Sequence, residues 1–272
     1  MTPRTGALRA AAPLALGAAV LVLWQLAVTV AGIDDYLLPS PLSILDQLIE
    51  FWPAVVGAIG ITGLNALLGL VVGSLLGIAI ALLASQSRIA DELTAPLVAA
   101  LAVVPIVALA PVLNTMFGAD SEVGRRIIAG LAAFVPVFVN TLRGLRQARP
   151  VHRDLMRAYD ASPAQQLRML TIPAARPYIF TGIRIASSLA VISALVAEYF
   201  GGPRGGLGSL ISTSAATSAY ARAWAYVVGG IVLGLVFFLV TAALERLATP
   251  ASRAPLGRGR IPRTTDGTMK GK

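Results

Sequence analysis

Cysteine is absent from this chain of 272 residues, and charged residues are scarce. Without cysteine, the chain has neither disulfide bonds nor thiolate metal sites. Asp, Glu, Lys and Arg make up 13% of the residues, whereas a soluble domain has roughly a quarter. The one histidine, His152, stands among arginines and is interpreted as a solvated loop residue. These shortages argue against an ordinary soluble enzyme and predict no metal site.

Acidic residues are fewer than basic residues. The chain has 22 Lys and Arg against 13 Asp and Glu, a net charge of +9. Such an excess is sometimes a sign of nucleic-acid binding. In a membrane protein it more often reflects cytoplasmic flanks that contact anionic lipid. We therefore predict membrane lipid, and not nucleic acid, as a partner.

Long apolar runs are abundant. Apolar residues make up 56% of the chain, and the mean hydropathy is +0.77. Runs of about 20 apolar residues cross a bilayer core of roughly 30 Å as helices, and the alternation of barrel strands does not appear. The predicted fold class is all-α, a polytopic transmembrane helical bundle of about six spans. These spans are about 10–31, 58–84, 92–117, 126–147, 178–200 and 223–247.

Prolines distinguish two of these spans. The span at 92–117 contains Pro105 and two further prolines, and the span at 126–147 contains Pro136. Proline leaves a carbonyl group without its helical donor, which a membrane protein tolerates where neighbouring helices or water satisfy that carbonyl. We expect both spans in the interior of the bundle.

Glycines repeat at four-residue spacing in the second span, at Gly69, Gly73 and Gly77. Small residues at this spacing allow two helix backbones to approach closely. The pattern fits packing within one chain and packing between two copies.

Charged residues predict the orientation of the spans. Arginines precede the first span, crowd the segment at 151–177 and recur in the tail, whereas the loop after the first span has four acidic residues and no Lys or Arg. By the positive-inside rule, both termini and segment 151–177 face the cytoplasm. The loop at 118–125 departs from this pattern, since it has Asp120 and Glu122 but also Arg125 and Arg126 at its edge. The first span is too long for a signal peptide and is expected to be an uncleaved helix. We assign 1–9 to a cytoplasmic N-terminus, 10–249 to a transmembrane domain and 250–272 to a disordered basic tail.

The arginine-rich segment contains a strong helix start signal. Ser162 and Gln165 form a capping-box pattern, and Pro163 fits the first helical position. Pro173 is expected to end this helix. The helix would then cover 163–171 and measure about 13 Å.

A second short helix is predicted just before it, at 151–159. Asp160 suits the turn between the two helices, because Asp tolerates left-handed geometry. Ala164, Leu167 and Leu170 give the later helix one apolar stripe. A helix this short is not stable alone, so we expect the segment to dock onto a soluble partner.

The segment 154–173, DLMRAYDASPAQQLRMLTIP, resembles the cytoplasmic EAA loop of ABC importer permeases. The substitutions relative to that loop are Asp154 for Glu, Leu155 and Met156 for the alanines, Asp160 for Gly, and Ile172-Pro173 for Leu-Pro. Asp160 is expected to preserve the turn. Leu155 and Met156 enlarge a position that is normally small, which alters the fine geometry of docking without removing the element.

Further motifs are similar to the permeases of nitrate, sulfonate, taurine and thiamine-pyrimidine importers, so the resemblance covers about residues 10–248. The matching motifs are PSP at 39–41, VPIVALAP at 104–111, FG at 117–118, AARPYIF at 174–180, GIR at 182–184, AE at 197–198 and GLG at 206–208. Taken together, these motifs are specific for this group of permeases.

The resemblance implies the type I ABC importer permease fold in a multi-pass protein of the bacterial cell membrane. It implies three partners: a second permease copy in a homodimer, a cytoplasmic ABC ATPase dimer, and an extracytoplasmic solute-binding protein. ATP and Mg would bind to the ATPase. This chain has no Walker A sequence, so it would bind no cofactor and would not be an enzyme. The residues assigned to ATPase coupling are Asp154, Asp160, Ala161, Ser162, Pro163, Gln166, Leu167, Leu170 and Pro173.

The candidates for the translocation pathway are Pro105, Asn114, Asn140 and Glu198. Glu198 lies inside the fifth span near its outer end, and an ionisable residue within a membrane indicates function by default. A carboxylate serves an anionic solute poorly, so a structural or gating role is favoured over solute binding. Glu198 could instead be a helix-end residue that pairs with Arg204 or reaches interfacial water. Asn65, in the second span, is assigned to helix packing.

The whole sequence favours the permease of an ATP-driven importer for a small, anionic or pyrimidine-like solute. An ion-coupled secondary carrier would need acidic or histidine relays at the midplane and two repeated halves, and neither is evident. A membrane-embedded enzyme would need a paired catalytic constellation, which one histidine does not supply.

Overall fold

A computed structural model describes residues 3–118, 121–201 and 205–248. Within these ranges the chain is helical, which confirms the predicted fold class. The predicted tail at 250–272 and Arg204 lie outside the described residues. The elements are α1 Pro3–Ala31, α2 Pro41–Glu50, α3 Trp52–Gln86, α4 Arg88–Val103, α5 Ile106–Phe117, α6 Val123–Leu145, α7 Pro150–Ala158, α8 Pro163–Gln166, a π-helical turn Leu167–Thr171, α9 Ile172–Phe200, α10 Leu207–Ala216 and α11 Tyr220–Ala248.

Five helices of the described chain are long and apolar enough to cross a membrane. They are Ala12–Ala31, Trp52–Gln86, Val123–Leu145, Pro163–Phe200 and Tyr220–Ala248. The predicted third span at 92–117, which contains three prolines, is divided into two shorter helices, α4 and α5. The structure therefore does not confirm six spans.

The break between α4 and α5 falls at Val104-Pro105. Val104 adopts φ −59° and ψ 124°, which is extended rather than helical. The ring of a proline disfavours helical geometry in the residue before it. Pro96 and Pro111 lie inside α4 and α5 without ending them, so Pro105 is the proline at which the helix ends.

The glycine repeat of α3 packs against α6 within the same chain. A Cβ atom on Gly69 would lie 2.8 Å from the backbone nitrogen of Gly130, and one on Gly73 would meet the carbonyl oxygen of Gly130. A Cβ atom on Gly77 would lie 3.0 Å from the carbonyl oxygen of Phe134. Residue numbers rise together along both helices, so α3 and α6 run parallel and their backbones are in contact.

α9 is the central helix of the bundle. Gly144 of α6 lies against Ala175 of α9, and Gly182 farther along α9 lies against Val137 earlier in α6, so these two helices run antiparallel. α11 is also antiparallel to α9. Arg184, early in α9, pairs with Glu245 near the end of α11 at 2.8 Å, whereas Leu195, late in α9, lies against Gly230 in the first half of α11. The buried core is rich in alanine and lies between α3, α6, α9 and α11. Small side chains let these four helices pack closely.

The helix directions define two ends of the bundle. The loop end contains α7, α8 and the π-helical turn. The opposite end contains α2, α10 and the first turns of α3, α6 and α11. Arg222 at the start of α11 donates to the Gln47 side chain of α2 at 3.1 Å, which places α2 and α11 together at the opposite end.

Candidate functional site: the exposed loop and a buried polar cluster

The first candidate site is the exposed loop at 151–177. α7 ends in a Schellman motif, in which the N–H of Asp160 donates to Arg157 O at 2.9 Å and the N–H of Ala161 donates to Met156 O at 2.9 Å. Asp160 has φ +54°, the left-handed geometry that this motif requires. The predicted helix at 151–159 and the predicted turn at Asp160 are therefore present.

The start of α8 carries the predicted capping box. The N–H of Gln165 donates to Ser162 Oγ at 3.3 Å, and the N–H of Ser162 donates to Gln165 Oε1 at 2.7 Å. Pro163 occupies the first turn. The side chain of Gln166 donates to Ala161 O at 2.9 Å and so ties the helix back to the turn before it.

The prediction that Pro173 ends this helix is wrong. α8 continues through the π-helical turn into α9, and the N–H of Ile172 donates to Leu167 O, one residue farther back than in an α-helix. Pro173 has no N–H to donate. It lies in the first turn of α9, directly after the π-helical turn, whose hydrogen bonds span five residues instead of four. Residues 163–200 therefore form one uninterrupted helix.

The predicted coupling residues all lie at this end of the bundle. Asp154, Asp160, Ser162 and Pro163 are exposed, and Ala161, Gln166, Leu167, Leu170 and Pro173 are half-buried. Asp154 pairs with Arg157 at 3.6 Å, but both side chains are 70% exposed, so this pair contributes little. Met169 is 71% exposed and Tyr159 is 80% exposed. These two apolar side chains at the loop surface were not singled out from the sequence.

One of the four pathway candidates, Asn140, lines a cavity. It has a volume of about 620 Å³ between α4, α5, α6 and α9, and Asn140 and Ser193 are its polar lining residues. Asn140 donates to Pro136 O at 2.8 Å, within its own helix. Pro105 adjoins the cavity through Val104, which lines it. The broken helix thus forms one wall.

Asn114 lies elsewhere, near the end of α5. A Cβ atom on Gly201 would be 2.7 Å from its Nδ2, and one on Gly124 would be 3.5 Å from its Oδ1. Asn114 therefore sits where α5, α6 and α9 meet at the opposite end. It is not among the residues that line the cavity beside Asn140.

The fourth candidate, Glu198, is the centre of a buried polar cluster. Glu198 is only 1% exposed to solvent. Oε2 accepts a hydrogen bond from Thr62 Oγ1 at 2.7 Å and another from the N–H of Gly208 at 3.2 Å, and Oε1 accepts from Asn65 Nδ2 at 3.3 Å. A buried carboxylate needs such partners to offset its lost hydration. Glu198 does lie near the end of α9, but the alternative that its side chain reaches interfacial water is wrong, because the residue is buried.

Asn65 extends the cluster to α6, so the assignment of Asn65 to packing was incomplete. Its Nδ2 also donates to Glu122 Oε2 at 2.7 Å, and its Oδ1 accepts from Arg126 Nε at 3.1 Å. Arg125 is 1% exposed and donates to Glu122 Oε1 at 2.6 Å. In the part of the chain that the structure describes, Nε and Nη2 of Arg125 have no hydrogen-bond partner.

Sequence reasoning missed Thr62, Glu122, Arg125 and Arg126. The available signal was the loop at 118–125, whose mixed charges departed from the orientation pattern. That departure has a structural reason. Glu122 pairs with Arg125, and Asn65 links Glu122 to Arg126, so both arginines have partners inside the bundle.

Long apolar helices, a proline-broken helix beside a cavity and an exposed helical loop define a polytopic membrane protein of the transporter class. A sequence model described as "binding-protein-dependent transport system inner membrane component" matches residues 69–250. The chain belongs to this family and is a permease component of an ABC transport system, which confirms the resemblance. Its relatives in this family are permeases.

Several curated permeases are similar to the chain over most of their length. It is 32% identical to a probable ABC transporter permease protein of Haemophilus influenzae, covering 71% of this chain and 78% of the relative. It is 31% identical to the formylaminopyrimidine transport permease protein of Halalkalibacterium halodurans, covering 68% and 74%. It is 30% identical to a putative aliphatic sulfonates transport permease protein of Bacillus subtilis, covering 71% and 70%.

A solved structure has the same fold. A chain of an amino acid ABC transporter, crystallised with histidines, superposes with a TM-score of 0.61 at 15% sequence identity, covering 73% of this chain and 96% of that chain. At this identity the match supports the fold alone.

Proposed function

We propose that this chain is the transmembrane permease subunit of an ATP-driven importer, and that it forms the translocation pathway for a small anionic or pyrimidine-like solute. A solute-binding protein delivers the solute from outside the bacterial cell membrane. A cytoplasmic ABC ATPase dimer, which binds ATP and Mg, supplies the energy. Two permease copies form the pathway as a homodimer, with both termini in the cytoplasm.

One observation carries this proposal: the exposed loop is continuous with the central helix of the bundle. Residues 163–171 are joined to α9 without a break, so a force applied at the loop acts directly on the helix that contacts α3, α6, α10 and α11. Half-buried Leu167 and Leu170, with exposed Met169 beside them, give the loop a partly apolar surface for the ATPase.

The solute class is supported by the relatives. Their names cover formylaminopyrimidine, aliphatic sulfonates, riboflavin, nitrate and bicarbonate. These solutes are the panel to test. Binding of each to the partner solute-binding protein, measured by calorimetry, would identify the substrate.

The coupling role is tested by Leu167→Asp in the transporter assembled with its ATPase and binding protein in liposomes. We expect ATP-driven uptake to be lost and the ATPase to dissociate, because a buried charge without a partner costs several kcal/mol at an apolar contact. Leu247→Asp is the matched control, since Leu247 is 80% exposed at the loop end of α11 and lies outside the loop.

Normal uptake by Leu167→Asp would contradict coupling through this loop. Uptake by liposomes that contain this chain without the ATPase, driven by an ion gradient, would instead support the ion-coupled carrier.

A further inference from the structure

The polar cluster around Glu198 lies at the opposite end of the same helix that begins in the exposed loop. Pro163–Phe200 is one helix of 38 residues, about 57 Å long at 1.5 Å per residue. The loop is at its first turns and Glu198 is two residues from its end. A displacement of the loop therefore reaches Glu198 along a hydrogen-bonded helix and crosses no flexible connection.

Glu198 holds the start of α10. The first N–H groups of a helix have no partner within that helix, and here two of them bind side chains from other helices. The N–H of Gly208 donates to Glu198 Oε2 at 3.2 Å, and the N–H of Leu207 donates to Thr62 Oγ1 at 2.9 Å. Since Thr62 itself donates to Glu198, α3, α9 and α10 meet at one carboxylate.

The glycines at 206 and 208 make this contact possible. A Cβ atom on Gly206 would meet the carboxylate of Glu198, and one on Gly208 would meet Leu195 O and lie 2.7 Å from the N–H nitrogen of Tyr199. The start of α10 therefore packs directly against the last turns of α9. Separate movement of the two helices would break the hydrogen bond from Gly208 to Glu198 and leave a buried backbone donor without its partner, which is unfavourable.

We propose that Glu198 is a positioning residue that makes α10 follow α9, so that movement of the exposed loop is transmitted to the opposite end of the bundle. Asn65 is the second branch of this connection, because it links Glu198 to Glu122 and Arg126 at the start of α6. This inference rests on the proposed function, since it assumes that the ATPase moves the loop.

The test compares hydrogen exchange at the two ends of the helix in the assembled transporter. Backbone amide exchange of 163–171 and 207–216 is measured by mass spectrometry in nanodiscs, without nucleotide and after trapping with ATP and vanadate. In the wild type we expect trapping to change exchange in both segments. In Glu198→Ala we expect the change at 163–171 to persist and the change at 207–216 to disappear, with ATP-driven uptake lowered about tenfold.

Three further variants separate this role from general stability. Thr62→Val keeps the side-chain shape, removes the hydroxyl between Glu198 and Leu207, and should reproduce the loss at 207–216 even if Glu198→Ala does not fold. Glu198→Gln keeps one oxygen for Thr62 and Gly208 and should retain most of the response. Glu245→Gln alters a different carboxylate bound to α9, at Thr181 and Arg184, and should leave the response at 207–216 as in the wild type.

A wild-type response at 207–216 in both Glu198→Ala and Thr62→Val would overturn the proposal while leaving the importer function intact. A wild-type transporter that shows ATP-dependent change at neither segment would count against the proposed function itself.

Discussion

At the residue scale, Asp160 shows how one backbone angle maintains the exposed loop. Its φ of +54° is in the left-handed region, and its backbone N–H belongs to the motif that ends α7. The EAA loop of ABC importer permeases, which this segment resembles, has glycine at this position. Asp carries a Cβ yet tolerates this region better than other L-residues do, apart from Asn, so the loop retains its turn.

Asp160→Gly should leave the turn intact, whereas Asp160→Val should strain it by roughly 1–2 kcal/mol, because a β-branched side chain is disfavoured at positive φ. The measurement is co-purification of the ATPase with each variant. We expect a retained complex for Gly and a weakened one for Val. Equal complexes for both variants would show that the turn geometry does not affect docking.

Glu198 is the other informative residue. The sequence identified it as an intramembrane ionisable group, which was enough to select it but not to describe its surroundings. Its partners are Thr62, Asn65 and the N–H of Gly208. These contacts make it part of the framework at the opposite end of the bundle, apart from the cavity beside Asn140.

At the element scale, the parallel pair α3 and α6 depends on the absence of side chains at the glycine repeat. Gly73 lies so close to Gly130 that an added methyl group would meet a backbone carbonyl. Backbone atoms cannot rotate away as the end of a long side chain can. The sequence left open whether this repeat serves one chain or two, and the structure shows contact within one chain.

Gly73→Ala should lower the free energy of unfolding by about 1–3 kcal/mol, the usual cost of overpacking a close contact. Gly234→Ala is the matched control, because nothing lies within 4 Å of a Cβ atom at Gly234 and alanine has the higher helix propensity. The measurement is thermal unfolding of the purified protein in detergent. A melting temperature for Gly73→Ala equal to that of Gly234→Ala would contradict the close α3–α6 packing.

Proline acts differently in two elements. Pro105 ends α4, since Val104 before it is extended. Pro173 does not end the helix that starts at Pro163, because the preceding π-helical turn shifts the hydrogen bonds by one residue. The rule that proline stops a helix predicted the second position wrongly. A change of hydrogen-bond register depends on the whole turn and cannot be read from the proline alone.

At the scale of the whole molecule, the bundle has two ends with different chemistry. The loop end presents exposed helices with basic and apolar side chains, and the opposite end is tied together by hydrogen bonds among α3, α6, α9 and α10. The exposed apolar faces of α3 and α11 are those of a protein surrounded by lipid or by a second copy.

Native mass spectrometry of the detergent-extracted assembly should show two copies of this 28.1 kDa chain with two copies of the ATPase. Leu167→Asp should keep the pair of permease chains and lose the ATPase, because the substitution lies in the loop. A wild-type assembly with a single permease chain would contradict the proposed homodimer.

The amino-acid sequence by itself determined the helical membrane fold, the approximate position of the long helices, the capping box at Ser162 and the turn at Asp160. Each of these depends on apolar run length or on hydrogen bonds between residues a few positions apart, so local pattern is sufficient. Only the tertiary structure decided that Glu198 joins Thr62, 136 residues away, and that Asn65 joins Glu122, 57 residues away. Those pairs exist because α3, α6 and α9 pack in one particular arrangement, and the packing of helices is not written in the pattern of any one of them.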